Sequence, residues 1–193
     1  MIKNAHSLLR LIAVATAAAV TAIGIAVPAQ AQAAPISTVT FTNSFEGNPW
    51  NDWQGLKSGD GVAGADVNGN PVVARTGVNN GWLYTGTGWA AEKIAVSIGS
   101  WGDRSNCSAS IWANPVSYGA GVGLEVWDPN GANGWVKLTS TAPGVSAGKY
   151  QQITTPPLNL NGLSTVYIQA IYGNSKAVAQ FVRIDDVSLT CVS

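Results

Sequence analysis

The stretch SIWANPVSYGAGVGLEVW, residues 110–127, decides how this chain is read. Successive side chains of a strand point to opposite faces, so a half-buried strand alternates apolar and polar residues. Extended back three residues, the first half places Cys107, Ala109, Ile111 and Ala113 on one face and Ser108, Ser110 and Trp112 on the other. The second half places Val122, Leu124 and Val126 on one face, with Gly123, Glu125 and Trp127 opposite. Each run therefore carries a tryptophan on the face where polar residues belong. Paired as a hairpin, the two runs set Trp112 and Trp127 on one outer surface, with Glu125 and two serines beside them.

Working outward, the same period-two pattern recurs at residues 37–45, 71–75, 81–85, 93–98, 134–139, 150–155, 164–172 and 180–190. These runs are rich in Val, Ile, Thr and aromatic residues, which suit a pleated surface. Asn68-Gly69-Asn70-Pro71, Asn79-Asn80-Gly81, Asp128-Pro129-Asn130-Gly131 and Asn133-Gly134 separate them and supply the backbone angles of tight reversals. No amphipathic helical stripe follows residue 34. About ten strands in one domain predict an all-β fold, a single β-sandwich. In the run at 164–172, Tyr167, Gln169 and Ile171 lie opposite Val166, Ile168 and Ala170, and in the last run Arg183 points away from Val182 and Ile184.

Residues 1–33 read as a secretory signal peptide. Lys3 and Arg10 form a basic start, residues 11–27 are apolar, and Ala31-Gln32-Ala33 is a small-x-small cleavage site. The remaining domain, residues 34–193, is long enough for one core and too short for two ordinary ones. Two of the ten basic residues leave with the leader while all ten acids stay, so the mature charge is −2 with no basic tract. Nucleic acid and anionic membrane surfaces are bound chiefly through clustered Lys and Arg, and neither is expected as a partner.

The single histidine, His6, also lies in the leader. A Ser-His-Asp triad, a Cys-His pair and an imidazole-ligated metal are thereby excluded from the mature chain. Cys107 and Cys191, the two cysteines, are expected to form a disulfide in an exported protein. The expected location is extracellular, in a secreted bacterial protein.

A sheet face carrying Trp112, Trp127, Tyr167, Glu125, Gln169 and Arg183 suits a sugar. The apolar face of a pyranose packs on an indole, and carboxylate, amide and guanidinium groups meet its hydroxyls. Trp50, Trp53, Trp82, Trp89, Trp101 and Trp135 lie in or beside Gly/Asn-rich segments, where tryptophans more often plug the ends of a sandwich; Trp82 and Trp135, at strand edges, are the better ligand candidates among them.

Three segments carry a family resemblance: Asn43-Ser44-Phe45-Glu46-Gly47 with Trp50 and Trp53 behind it, Cys107-Ser108-Ala109-Ser110-Ile111-Trp112-Ala113, and Val182-Arg183-Ile184-Asp185-Asp186-Val187-Ser188-Leu189. In order and spacing they resemble the opening, middle and closing strands of carbohydrate-binding modules with the galactose-binding-like jelly roll, the type that accompanies bacterial cellulases and xylanases. The resemblance implies a jelly-roll sandwich that binds glycan along a sheet face or at the loop rim. It also implies a structural calcium where the first strand meets the last, with Glu46 and Asp185 or Asp186 as carboxylate ligands.

The expected function is thus a non-catalytic protein binding a polysaccharide of β-glucan or xylan type. Two alternatives stand beside it: a structural or adhesion protein whose face docks another protein, and a small glycoside hydrolase. The latter needs two carboxylates about 5 to 9.5 Å apart across a cleft, and no Glu-x-Glu or Glu-x-Asp pair shares a strand face here. Asp185 and Asp186, the one adjacent acidic pair, point to opposite faces of a regular strand.

Overall fold

The computed structural model describes residues 36–67, 69–176 and 178–193, so the expected leader lies outside the described residues. Twelve strands occur among them, two more than the sequence pattern suggests. They are β1 (Thr38–Asn43), β2 (Trp53–Gly59), β3 (Val62–Asp66), β4 (Asn80–Thr85), β5 (Gly88–Ser97), β6 (Cys107–Pro115), β7 (Ala120–Gly131), β8 (Gly134–Thr141), β9 (Gly144–Val145), β10 (Gln151–Thr154), β11 (Thr165–Asn174) and β12 (Gln180–Val192). A single 3-10 turn, Pro49–Asn51, precedes β2.

All pairings are antiparallel. One sheet runs β10-β6-β12-β4-β3, with β1 also on β12, and the other runs β2-β5-β11-β7-β8, with β9 on β7. The inward positions of each sheet are the apolar ones of the alternation. Ala109, Ile111, Ala113, Val182, Ile184 and Leu189 from the first meet Val122, Leu124, Val126, Val166, Ile168 and Tyr172 from the second in one buried core. Burying such side chains supplies about 1.5–3 kcal/mol each, which makes the facing of each strand hard to invert. The Cys107–Cys191 disulfide forms and links β6 to β12.

Two expectations change. Residues 110–127 form two strands with the expected inward faces, but those strands do not form a hairpin. Strand β6 pairs with β10 and β12, whereas β7 pairs with β11 and β8 in the opposite sheet. Alternation fixes which side chains point inward; it does not fix which sheet a strand joins. Pro115 closes β6, and the next N–H, from Val116, donates to Phe181 O rather than to β7.

The run at residues 71–75 is a loop instead of a strand. Asn70 captures it, its Oδ1 accepting the Val72 N–H and its carbonyl the Val73 N–H. Side-chain capture of this kind competes with ladder pairing. Conversely, β2 and β3 went unread because WQGLKSG and VAGAD show little alternation.

Candidate functional site

Cross-strand register assembles a polar strip on the outer face of the second sheet. Gln169 of β11 pairs with Glu125 of β7 on one side and with Lys93 of β5 on the other. The row continues to Gln54 of β2 and to Ser140 of β8. The next row along the strands pairs Tyr167 with Trp127.

Glu125 is the hub of this face. Trp127 Nε1–H donates to its Oε2 at 2.9 Å and Gln169 Nε2–H to the same oxygen at 3.0 Å. The Lys137 ammonium donates to Oε1 at 2.7 Å. Glu125 and Gln169 are each 8% exposed, so these charge-assisted bonds form in a partly desolvated setting where geometry is well held. Lys137 Nζ also lies 5.1 Å from the Trp127 ring. The indole is thereby fixed in plane by its own N–H while the residue stays half-buried.

A second aromatic unit stands next to it. Trp135 of β8 is 47% exposed and packs on Tyr167 with ring centroids 4.6 Å apart. Lys93 Nζ sits 4.0 Å from the Trp135 ring and 4.8 Å from that of Tyr167, within the range of cation–π attraction. Toward the other end of the strands the outward positions shrink to Gly121, Gly123 and Gly173, opening a groove of about 370 Å³ bounded by Glu125, Ser140 and Ile171. A Cβ at Gly123 would lie 2.6 Å from Ile171 Cγ2, so any larger residue there displaces that side chain.

Of the six ligand residues expected from sequence, Trp127, Glu125, Tyr167 and Gln169 come together here. Trp112 and Arg183 do not, because β6 and β12 belong to the other sheet. Trp112 lies under a guanidinium, with Arg75 Cζ 3.7 Å from its ring centroid. Arg183 pairs in register with Trp82 and Asn114. Lys93, Lys137 and Trp135 join the site without having been assigned to it. Carrying the alternation through β5 finds Lys93, but a register shift in the β7–β8 pairing hides Lys137 from simple counting.

The three carboxylates expected to hold calcium have other partners. Glu46 Oε1 accepts the Val78 and Asn79 N–H groups, both at 2.8 Å. Asp185 Oδ2 accepts the Arg75 and Thr76 N–H groups at 2.8 and 3.3 Å. Asp186 takes the Arg75 guanidinium on Oδ2 and the Thr76 hydroxyl, at 2.6 Å, on Oδ1. The expected opposition of Asp185 and Asp186 fails because the strand bulges at this point, with Asp186 at φ 46°, which turns both acids toward the residue 70–79 loop. Burial raises the Asp185 pKa to about 6, against the pull of the Arg75 N–H bond.

Calcium requires six to eight oxygen donors aimed at one point. These oxygens instead meet N–H groups, a guanidinium and a hydroxyl, and among the described residues no three acidic, His or Cys side chains converge on a metal position. As arranged, the three carboxylates tie down a loop.

No family model matches the chain, and no curated protein matches it in sequence. Solved structures do. The fold is similar to that of a family 61 carbohydrate-binding module in complex with β-1,4-galactotriose, at 14% identity and a TM-score of 0.55, covering 76% of this chain and 92% of that one. It is similar to the C-terminal family 22 carbohydrate-binding module of Clostridium thermocellum Xyn10B, at 11% identity and a TM-score of 0.54, covering 79% and 91%. It is also similar to the family 11 module of Clostridium thermocellum in complex with a β-1,3-1,4-mixed-linked tetrasaccharide, at 16% identity and a TM-score of 0.53, covering 81% and 96%. With its two antiparallel sheets and one shared core, the chain has the jelly-roll β-sandwich fold of carbohydrate-binding modules.

Proposed function

We propose that this is a secreted, non-catalytic carbohydrate-binding protein that takes a β-linked polysaccharide along the outer face of the β2-β5-β11-β7-β8 sheet. The observation that carries the reading is the Trp127–Glu125–Gln169–Lys137 constellation. One carboxylate fixes an indole, an amide and an ammonium side by side, so a flat apolar platform and hydrogen-bonding groups are presented together before any ligand arrives. Preorganisation of this kind lowers the ordering cost of binding. Trp127 and the Trp135–Tyr167 pair would each support a sugar ring. Gln54, Lys93, Gln169 and Ser140 would meet hydroxyls between them, and the glycine-lined groove would let a chain continue past Glu125.

A binder fits this face better than a hydrolase. Glycoside hydrolysis uses a pair of carboxylates, and Glu125 is the one carboxylate at the outward strand positions of this sheet among the described residues. Its oxygens already accept from three donors. A protein partner is less suited to a strip that alternates aromatic and hydrogen-bonding groups along the line a linear chain would follow.

Depletion of the mature domain from solution by insoluble xylan, cellulose, galactan and mixed-linkage glucan tests the proposal. Retention on at least one polymer without release of reducing sugar is expected. Failure to bind any of them, or sugar release abolished by Glu125→Gln, would overturn it.

A further inference from the structure

The outer face of the opposite sheet holds a second aromatic cleft that the reading above leaves unused. Trp82 of β4 and Phe181 of β12 meet edge to face there, with centroids 5.6 Å apart and planes at 76°. Tyr84 backs Phe181 at 4.6 Å. Together with Val116, Asp66 and Arg183 the two rings line a cleft of about 360 Å³, at the small end of the range for ligand sites.

Three observations mark the cleft as more than surplus apolar surface. First, its floor is set by close packing. The Trp82 indole lies across Gly64, where a Cβ would stand 2.7 Å from Cζ2, so the ring is held flat on β3. Trp50, 58% exposed, reaches the same glycine from another side. Second, Phe181 is left 45% exposed and Val116 38% exposed beside it, although the sandwich core is complete without them. Third, the polar groups at the cleft lack protein partners. Among the described residues neither Arg183 nor Asp66 forms an ion pair or a side-chain hydrogen bond with another protein group, although both line the same cleft. Asn114, the cross-strand neighbour of Arg183, is 7% exposed and its buried Oδ1 has no partner.

We propose that this cleft is a second carbohydrate site, on the opposite side of the sandwich from Trp127, and that it takes one or two terminal sugar rings. The apolar face of a pyranose packs on Trp82 with Phe181 as an end wall. Asp66 accepts from one hydroxyl, and Arg183 donates to a neighbouring hydroxyl oxygen. An acid and a guanidinium together favour a neutral ligand that both donates and accepts, which vicinal hydroxyls do, over a simple anion or cation. The cleft has room for one or two rings with Phe181 at one end, in contrast to the row of groups that crosses five strands on the other face. A domain with a site on each side can hold two glycan chains at once, and binding at one raises the effective concentration at the other.

The two sites are separable by observing individual indole N–H signals in nitrogen-15 correlation spectra of the mature domain. The probes are glucose, galactose, mannose, N-acetylglucosamine, β-1,4-galactotriose, xylohexaose and a mixed-linkage tetrasaccharide, each raised to about 10 mM, enough to occupy a site with a Kd of about 1 mM. The Trp82 signal, assigned by its loss in Trp82→Phe, is expected to shift saturably with at least one probe. The shift should persist in Trp127→Ala and fall by more than half in Arg183→Gln and in Asp66→Asn, whose spectra report directly whether the fold is kept. A Trp82 signal that stays still with every probe overturns the proposal whether or not Trp127 responds. So does a shift that disappears in Trp127→Ala. A silent Trp127 beside a responsive Trp82 would instead remove the first site and leave the second.

Discussion

The Trp127 indole N–H donates to Glu125 Oε2 at 2.9 Å, two residues back along the same face of β7. A strand period of two makes such a pair neighbours, and the bond turns a surface tryptophan into a fixed platform. Glu125→Gln keeps the shape but removes the charge that holds Lys137 and strengthens the Trp127 and Gln169 bonds. Calorimetric titration should show glycan affinity falling about tenfold, or about 1.4 kcal/mol, with the melting temperature nearly unchanged because the Lys137 pair is partly exposed. Undiminished affinity would mean that the hub does not position the platform.

Glu92 should make the domain more stable below its titration than above it. It sits on the inward face of β5, 2% exposed, with no partner for Oε2 among the described residues, and burial raises its pKa to about 7. A carboxyl whose folded pKa is raised binds its proton more tightly in the native state. Its contribution is therefore full below the unfolded value near 4.5 and is lost as pH rises through about 7. The loss is on the order of 3 kcal/mol. Melting temperatures should fall between pH 5 and pH 8, and Glu92→Gln should flatten that slope. A melting temperature that rises across the window would show that the carboxyl is not buried neutral.

The disulfide spans a sequence separation of 84 residues. On the chain-entropy estimate it stabilises the domain by roughly 4 kcal/mol, so a Cys107→Ala, Cys191→Ala double variant should melt roughly 10 °C lower in calorimetry. An unchanged melting temperature would show that the unfolded chain is already restrained.

Glu46, Asp185 and Asp186 spend their oxygens on the residue 70–79 loop. Millimolar calcium and excess chelator are accordingly expected to give the same melting temperature, whereas Asp185→Asn should lower it, because both carboxylate oxygens accept backbone N–H groups and an amide NH2 in either place would face a donor. A clear rise with calcium would mean that the loop rearranges to free these oxygens.

Much of this architecture was legible from alternation alone. The inward sets of β6, β7, β11 and β12 were assigned correctly because a wrong facing would bury serines and expose isoleucines. What alternation does not supply is sheet membership, and Trp112 and Arg183, which share its outward pattern with Trp127, lie across the core from it. Nor could it reveal the bulge at Asp186, whose positive φ has no sequence signature in an Asp-Asp pair. Trp135 carried a visible cue in its strand-edge position, but its contact with Tyr167 depends on the register of β8, which is set by a local irregularity.

Calorimetric titration of wild type and Trp127→Ala, with the polysaccharide that retains the domain best, tests whether the Trp127 face binds glycan. A loss of about 1–3 kcal/mol in binding, as for truncation of an aromatic hot spot, with the fold intact by circular dichroism, is the predicted result. Equal affinity in wild type, Trp127→Ala and a Trp135→Ala, Tyr167→Ala double variant would contradict it.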